Sequence, residues 1–121
     1  MITLPDAQKR ATESLNGFPP DVVQAYLAFA ENRNPEDLDV VILGVLHFYL
    51  AKKPKVALTT LPGTTRMAAD LGVDSLTMMD TIFMVESLYD VKLDDAMLAK
   101  LVTLDDLRNY LRSLAGLSAA N

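Results

Sequence analysis

Apolar residues recur along this chain at helical spacing. No stretch alternates apolar and polar positions with strand period and turn punctuation, so the pattern predicts an all-α protein. Residues 6–15 carry only a weak pattern, compatible with a short helix or a disordered arm. After the break GFPPD, Val22, Val23, Tyr26, Leu27 and Ala30 follow at helical intervals behind Pro20, which predicts a helix over about 20–31. Asn34 then offers an N-cap, Pro35 a first turn, and Glu36 and Asp37 complement the helix dipole. Leu38, Val41, Ile42, Val45, Leu46 and Tyr49 form one stripe of a helix over about 36–52, with Lys52 and Lys53 suited to its end. His47 lies about 180° from that stripe and reads as an exposed helix residue, not a general base, because no partner constellation accompanies it.

Pro54 stops this helix, and a long connection with two prolines and a glycine leads to residue 70. Connections of that length in a compact domain are commonly functional. Residues 75–89 contain no glycine or proline and predict a helix capped by Asp74. A short helical piece is expected over about 96–101. Thr103 and Asp106 have capping-box spacing, Leu104, Leu107, Leu111 and Leu114 line one face of a last helix, and Gly116 ends it.

Composition narrows the function classes. A chain of 121 residues that is 50% apolar suits one compact domain. No apolar run approaches the roughly 18–20 residues of a membrane span, and the opening MITLPDAQKR carries no signal-peptide pattern, so a cytoplasmic protein is expected. Cysteine is absent and His47 is the one histidine, which disfavours a metal site and a Ser-His pair; no catalytic residue is expected. The net charge of −5 is uneven: residues 1–69 hold seven acids and seven bases, residues 70–121 nine acids and four bases. An acidic half argues against nucleic acid and favours basic protein surfaces.

The remaining chemistry concentrates in DLGVDSL, residues 70–76. Ser75 would head a helix, where unpaired N–H groups and the positive dipole end favour a phosphate ester. No base stands beside it, so the serine fits a substrate for modification better than a nucleophile, and a plain helix-start serine is the competing reading. On the helix after it, Met78, Thr81, Ile82, Val85, Leu88 and Tyr89 form a core face. Leu76, Met79 and Phe83 lie on the other side among Asp80, Glu86, Ser87 and Asp90. That arrangement fits a docking surface, unless an extra N-terminal helix covers it.

These residues resemble the acyl carrier protein family, whose signature Asp-Leu-Gly-x-Asp-Ser-Leu is met by Asp70, Leu71, Gly72, Asp74, Ser75 and Leu76. The likeness continues through Glu86 and Tyr89, where the family usually has phenylalanine, through Val91–Asp95, with Asp94 where proline is usual, and through LVTLDDLRNYL. It covers about 35–115 and implies a carrier bundle of three to four helices, preceded by an extension over 1–34 with one helix and followed by a flexible tail over 116–121. The resemblance implies that Ser75 carries 4′-phosphopantetheine, installed from coenzyme A by a phosphopantetheinyl transferase with Asp74 aiding recognition. Acyl groups would ride on it as thioesters, Leu76, Met79, Asp80, Phe83 and Glu86 would face partner enzymes with basic surfaces, and the protein, a monomer, would catalyse nothing. Thr77 stands in place of the usual acid and Ser87 interrupts the usual acidic run, which points to a specialised, polyketide-like pathway beside fatty acid synthesis. The competing readings are an unmodified interaction protein of the same fold and a peptidyl carrier.

Overall fold

The computed structural model describes residues 3–116. Among them, α1 (Leu4–Ser14), α2 (Pro20–Asn32), α3 (Pro35–Tyr49), α4 (Met67–Leu71), α5 (Ser75–Tyr89), α6 (Asp95–Leu98) and α7 (Leu104–Leu114) follow in order, with a 3₁₀ turn at Leu58–Thr60 between α3 and α4. Among the described residues the fold is an all-α bundle, as the pattern predicts, and it agrees with the carrier bundle that the resemblance implies. Residues 117–121 of the expected tail lie outside the described residues.

Helix α3 is the centre of the bundle. Its predicted stripe is buried at Leu38, Val41, Ile42, Val45 and Leu46, but Leu43, on another side, is buried too. The reason is α2, which packs so closely that a Cβ on Gly44 would lie 2.4 Å from Val22 Cγ2. The apolar stripe of the N-terminal segment, Val22, Tyr26 and Phe29, thereby joins one continuous core with α3, α5 and α7. The weakly patterned residues 6–15 do form a helix, α1, which buries Ala7 and Ala11 against that core. Its Arg10 guanidinium donates to the Ser87 carbonyl near the end of α5, and the Tyr26 hydroxyl donates to the Leu88 carbonyl. Helix ends leave such carbonyls without intrahelical partners, so the extension supplies donors where α5 lacks them.

An ion pair crosses the same core. Asp39 of α3, 6% exposed, accepts from Arg112 of α7, whose Nε lies 3.0 Å away. Arg108 approaches the same carboxylate at 3.9 Å. This contact holds the Arg112 guanidinium more firmly protonated than usual, chiefly through its hydrogen bond to Asp39.

The structure departs from the sequence reading at three places. The helix expected to reach residue 52 ends at Tyr49, because Leu50 turns extended and is buried; Lys52 and Lys53 lie beyond it, and Lys53 Nζ donates to the Leu50 carbonyl at 2.9 Å. His47 is half-buried, not exposed, and its Nε2 lies 2.9 Å from the Pro54 carbonyl oxygen, tying α3 to the chain that leaves it. The short helix expected over 96–101 is Asp95–Leu98, one turn started by Asp94, whose carboxylate accepts the Ala96 N–H.

Candidate functional site

The long connection ends in a built element. Helix α4 is only five residues, too short to stand on propensity. It is held from outside: Met67 N–H donates to the Val102 carbonyl at 2.9 Å, Leu104 N–H to the Thr65 carbonyl at 3.0 Å, and Met67 is 2% exposed. The first residue of DLGVDSL belongs to this helix. Asp70 accepts the Arg66 backbone N–H at 2.8 Å and pairs with the Arg66 guanidinium, and these bonds hold its carboxyl below the usual carboxylate range. Leu71 packs against the core, and Gly72 turns the chain at φ +73°, a left-handed conformation that side chains disfavour. Val73 then closes the turn by donating to the Met67 carbonyl at 2.9 Å. Each motif residue before the serine thus shapes the tight passage between α4 and α5.

Asp74 caps α5 as its position predicts. Its carboxylate accepts the Thr77 N–H at 2.8 Å, which lowers its pKa below the usual value. Ser75 is the first residue of the helix and is exposed. Among the described residues none hydrogen-bonds its hydroxyl. The carboxylate of the preceding residue, Asp74, is already an acceptor inside the cap and is acidified by it, so it is a poor base for this hydroxyl.

Two open grooves meet at Ser75. One, of about 570 Å³, runs between α5 and α6 and is walled by Met78, Ile82, Phe83 and Leu98, with Glu86, Lys92 and Asp95 at its edges. The other, of about 490 Å³, runs past α4, with Arg66 and Asp74 among its walls. Both share Ser75, Met78 and Leu98. An unbonded hydroxyl at a helix N-terminus, with apolar room on two sides, fits a phosphate-linked arm with an apolar load.

The rest of α5 sorts as its wheel predicts on one side and differs on the other. Thr81, Ile82, Val85, Leu88 and Tyr89 are buried and Met78 half-buried. Leu76, Met79 and Phe83 are 66%, 51% and 59% exposed, so α1 and α2 do not cover them. Of the acids among them, Glu86 is engaged within the fold and Asp80 is half-buried. Glu86 is half-buried and accepts the Leu93 N–H at 2.8 Å, and Asp80, also half-buried, lies near Tyr49, whose phenol is pushed up by burial and then by this charge. Thr77, where an acid is usual, is 6% exposed. A carboxylate there would have to be buried, so a neutral side chain fits this packing. Sequence reasoning missed α4, Arg66 and the task of Glu86; the Arg66–Asp70 spacing of four residues was the one available signal.

Among the described residues, no helix is long and apolar enough to cross a membrane. Residues 46–111, more than half of the chain, match the family model described as phosphopantetheine attachment site. The chain is similar to the acyl carrier protein of Thermotoga maritima, 39% identical over 51 residues that cover 42% of this chain and 63% of that protein. It is also similar to the acyl carrier protein of Campylobacter lari, 34% identical over 50 residues covering 41% of this chain and 65% of that one. It therefore spans somewhat less than two thirds of the length of either relative. No solved structure matches it significantly.

Proposed function

We propose that this chain, which belongs to the phosphopantetheine attachment-site family, is an acyl carrier protein whose prosthetic group is borne by Ser75. That group is 4′-phosphopantetheine, held covalently. The observation that carries the assignment to Ser75 is its exposed, unbonded hydroxyl at the first position of a 15-residue helix, where two apolar grooves converge. When attached, the group supplies a terminal thiol that holds acyl chains as thioesters.

The chain's own residues prepare the site and leave the chemistry to partners. Gly72 and the Asp70–Arg66 pair hold α4 against α5, Asp74 fixes the first turn, and the α5 dipole favours the phosphate. Ser75 has no base, so a phosphopantetheinyl transferase supplies one: Oγ forms the new P–O bond, its proton passes to the transferase, and the adenosine bisphosphate half of coenzyme A leaves. The protein is non-catalytic and monomeric, and its net charge of −5 steers acyl-transferring and acyl-processing enzymes with basic surfaces toward it. A cytoplasmic place of action goes with coenzyme A as donor. Residues 1–34 form an extension that braces the carrier part, 35–115, and the two helices of that extension favour a specialised, polyketide-like pathway over general fatty acid synthesis.

The test is intact mass after incubation with coenzyme A and a broad-specificity phosphopantetheinyl transferase. Wild type should gain one prosthetic mass, and Ser75→Ala should melt like wild type and gain none. A loaded Ser75→Ala protein would refute the site. A folded wild type that never loads would favour an unmodified interaction protein.

A further inference from the structure

We infer that the chain carries a second docking surface, basic where the rest of the chain is acidic, on which a partner protein inserts one apolar side chain between α2 and α3 and sets acidic neighbours against Lys52, Lys53 and Lys55. Residues 40–69 hold these three lysines and Arg66 and no acid, whereas the other residues hold all sixteen acids and only seven of the eleven bases. Asp70 pairs with Arg66. The three lysines are exposed and form no ion pair among the described residues. A charge run alone would be a solvated face, but apolar surface lies beside this one. Phe48 and Val56 are 37% and 51% exposed, and the Phe48 ring is held by stacking on Phe18 at 3.9 Å.

A half-open cavity of about 200 Å³ completes the surface. Val22 of α2, Val40 and Leu43 of α3, and Leu58 of the 3₁₀ turn are among its apolar walls, with Phe48 and Lys53 also in its lining. A cavity of about 150 Å³ with walls of this kind takes up benzene, so this one has room for an aromatic or branched aliphatic side chain. The wall that bears the lysines is fixed in advance. His47 Nε2 lies 2.9 Å from the Pro54 carbonyl oxygen, Lys53 Nζ donates to the Leu50 carbonyl at 2.9 Å, and the Thr60 N–H donates to the Ala57 carbonyl at 3.0 Å. Such pre-ordering lowers the entropic cost of binding. The Lys53 ammonium keeps further donors for a carboxylate. Asp21 is the one acid in the lining and is outnumbered by the three lysines of the loop. One pocket beside three spread charges fits an extended acidic segment better than a small carboxylate, which would use one lysine, or a lipid surface, which needs no pocket. A basic surface drawn to residues 70–121 is repelled here, so the two regions select different partners. The extension gains a task by this reading, because Val22 supplies part of the pocket.

The experiment titrates the isotope-labelled full chain with a short synthetic peptide in which one phenylalanine is flanked by glutamates on both sides, and follows amide resonances by NMR. The peptide should bind saturably, with Kd below about 1 mM, and shift resonances within residues 47–59. Replacing its phenylalanine by serine should weaken binding about fivefold or more. Two variants of the chain should do the same while melting near wild type: Ala57→Leu, which fills the cavity from an exposed position, and the triple variant Lys52→Gln, Lys53→Gln, Lys55→Gln. Absence of saturable binding, or shifts confined to α5, would overturn the inference. Equal affinity for the serine peptide would reduce the surface to charge alone and overturn the inserted side chain. Tighter binding to vesicles of anionic phospholipid would put a membrane in place of the protein partner. A wild-type dimer in sedimentation velocity that the triple variant dissociates would put a second copy there, and either result overturns the assignment. Ser75 takes no part in these measurements, so their outcome stands apart from the carrier reading.

Discussion

Gly44→Ala tests the approach of the N-terminal segment to the carrier helices. Gly44 lies mid-way in α3, where alanine is the better helix former by about 1 kcal/mol. In isolation the substitution should therefore stabilise. In this fold the new Cβ would stand 2.4 Å from Val22 Cγ2, against an optimum carbon separation of about 3.5–4.0 Å. Val22 cannot yield easily: it is 2% exposed, and a β-branched side chain in a helix has one strongly preferred rotamer. Overpacking of this kind costs about 1–3 kcal/mol. The clash outweighs the propensity gain, and Gly44→Ala should destabilise by about 1 kcal/mol, or about 4 °C for a domain of this size. Val22→Ala removes the obstructing methyl groups and, with the cavity left behind, should cost about 2–3 kcal/mol on its own. In that background Gly44→Ala should reverse sign, gaining about 1 kcal/mol from propensity and partial filling of the gap. The coupling energy is then about 2 kcal/mol. Urea unfolding of the four proteins, monitored by circular dichroism, measures it. Equal stabilisation by Gly44→Ala in both backgrounds would mean that α2 does not lie against α3 as described, and would refute the shared core.

Three further outcomes are expected. Tyr89 is 2% exposed and its hydroxyl has no hydrogen-bond partner among the described residues, so Tyr89→Phe should raise stability by up to about 1 kcal/mol, whereas Tyr26→Phe, which strips a donor from the Leu88 carbonyl, should lower it by about 1–2 kcal/mol. Equal effects in chemical denaturation would contradict this contrast. Burial raises both phenols above the ordinary value of 10.0, so their neutral forms stabilise the fold below that pH, and this contribution is lost as pH rises past it. Unfolding free energy should therefore fall between about pH 9.5 and 11.5, less steeply in Tyr89→Phe, and a slope unchanged in that variant would count against its burial. Asp39→Ala leaves Arg112 and the nearby Arg108 without their shared carboxylate and should cost about 3 kcal/mol by thermal melting, while a loss under about 1 kcal/mol would show the pair to be solvated.

Features whose causes are local were legible along the chain. The span of α5 follows from an N-capping aspartate and a run without glycine or proline, and the start of α7 from the Thr103–Asp106 capping box. Ser75 was legible for the same reason, since its motif, its cap and its helix lie within a few residues of one another. Tertiary structure decided what depends on partners far along the chain. A single stripe on α3 announces one neighbour, and only the folded chain brings Val22 onto Gly44 and buries the opposite side as well. Helix α4 has too few residues for any period and exists because Val102, some thirty-five positions away, accepts its first N–H. Charge was the least legible of all. Glu86 reads as a free acid on a helix wheel, but whether a carboxylate faces solvent or an N–H is set by the fold of the loop beside it, and here the Leu93 N–H claims it.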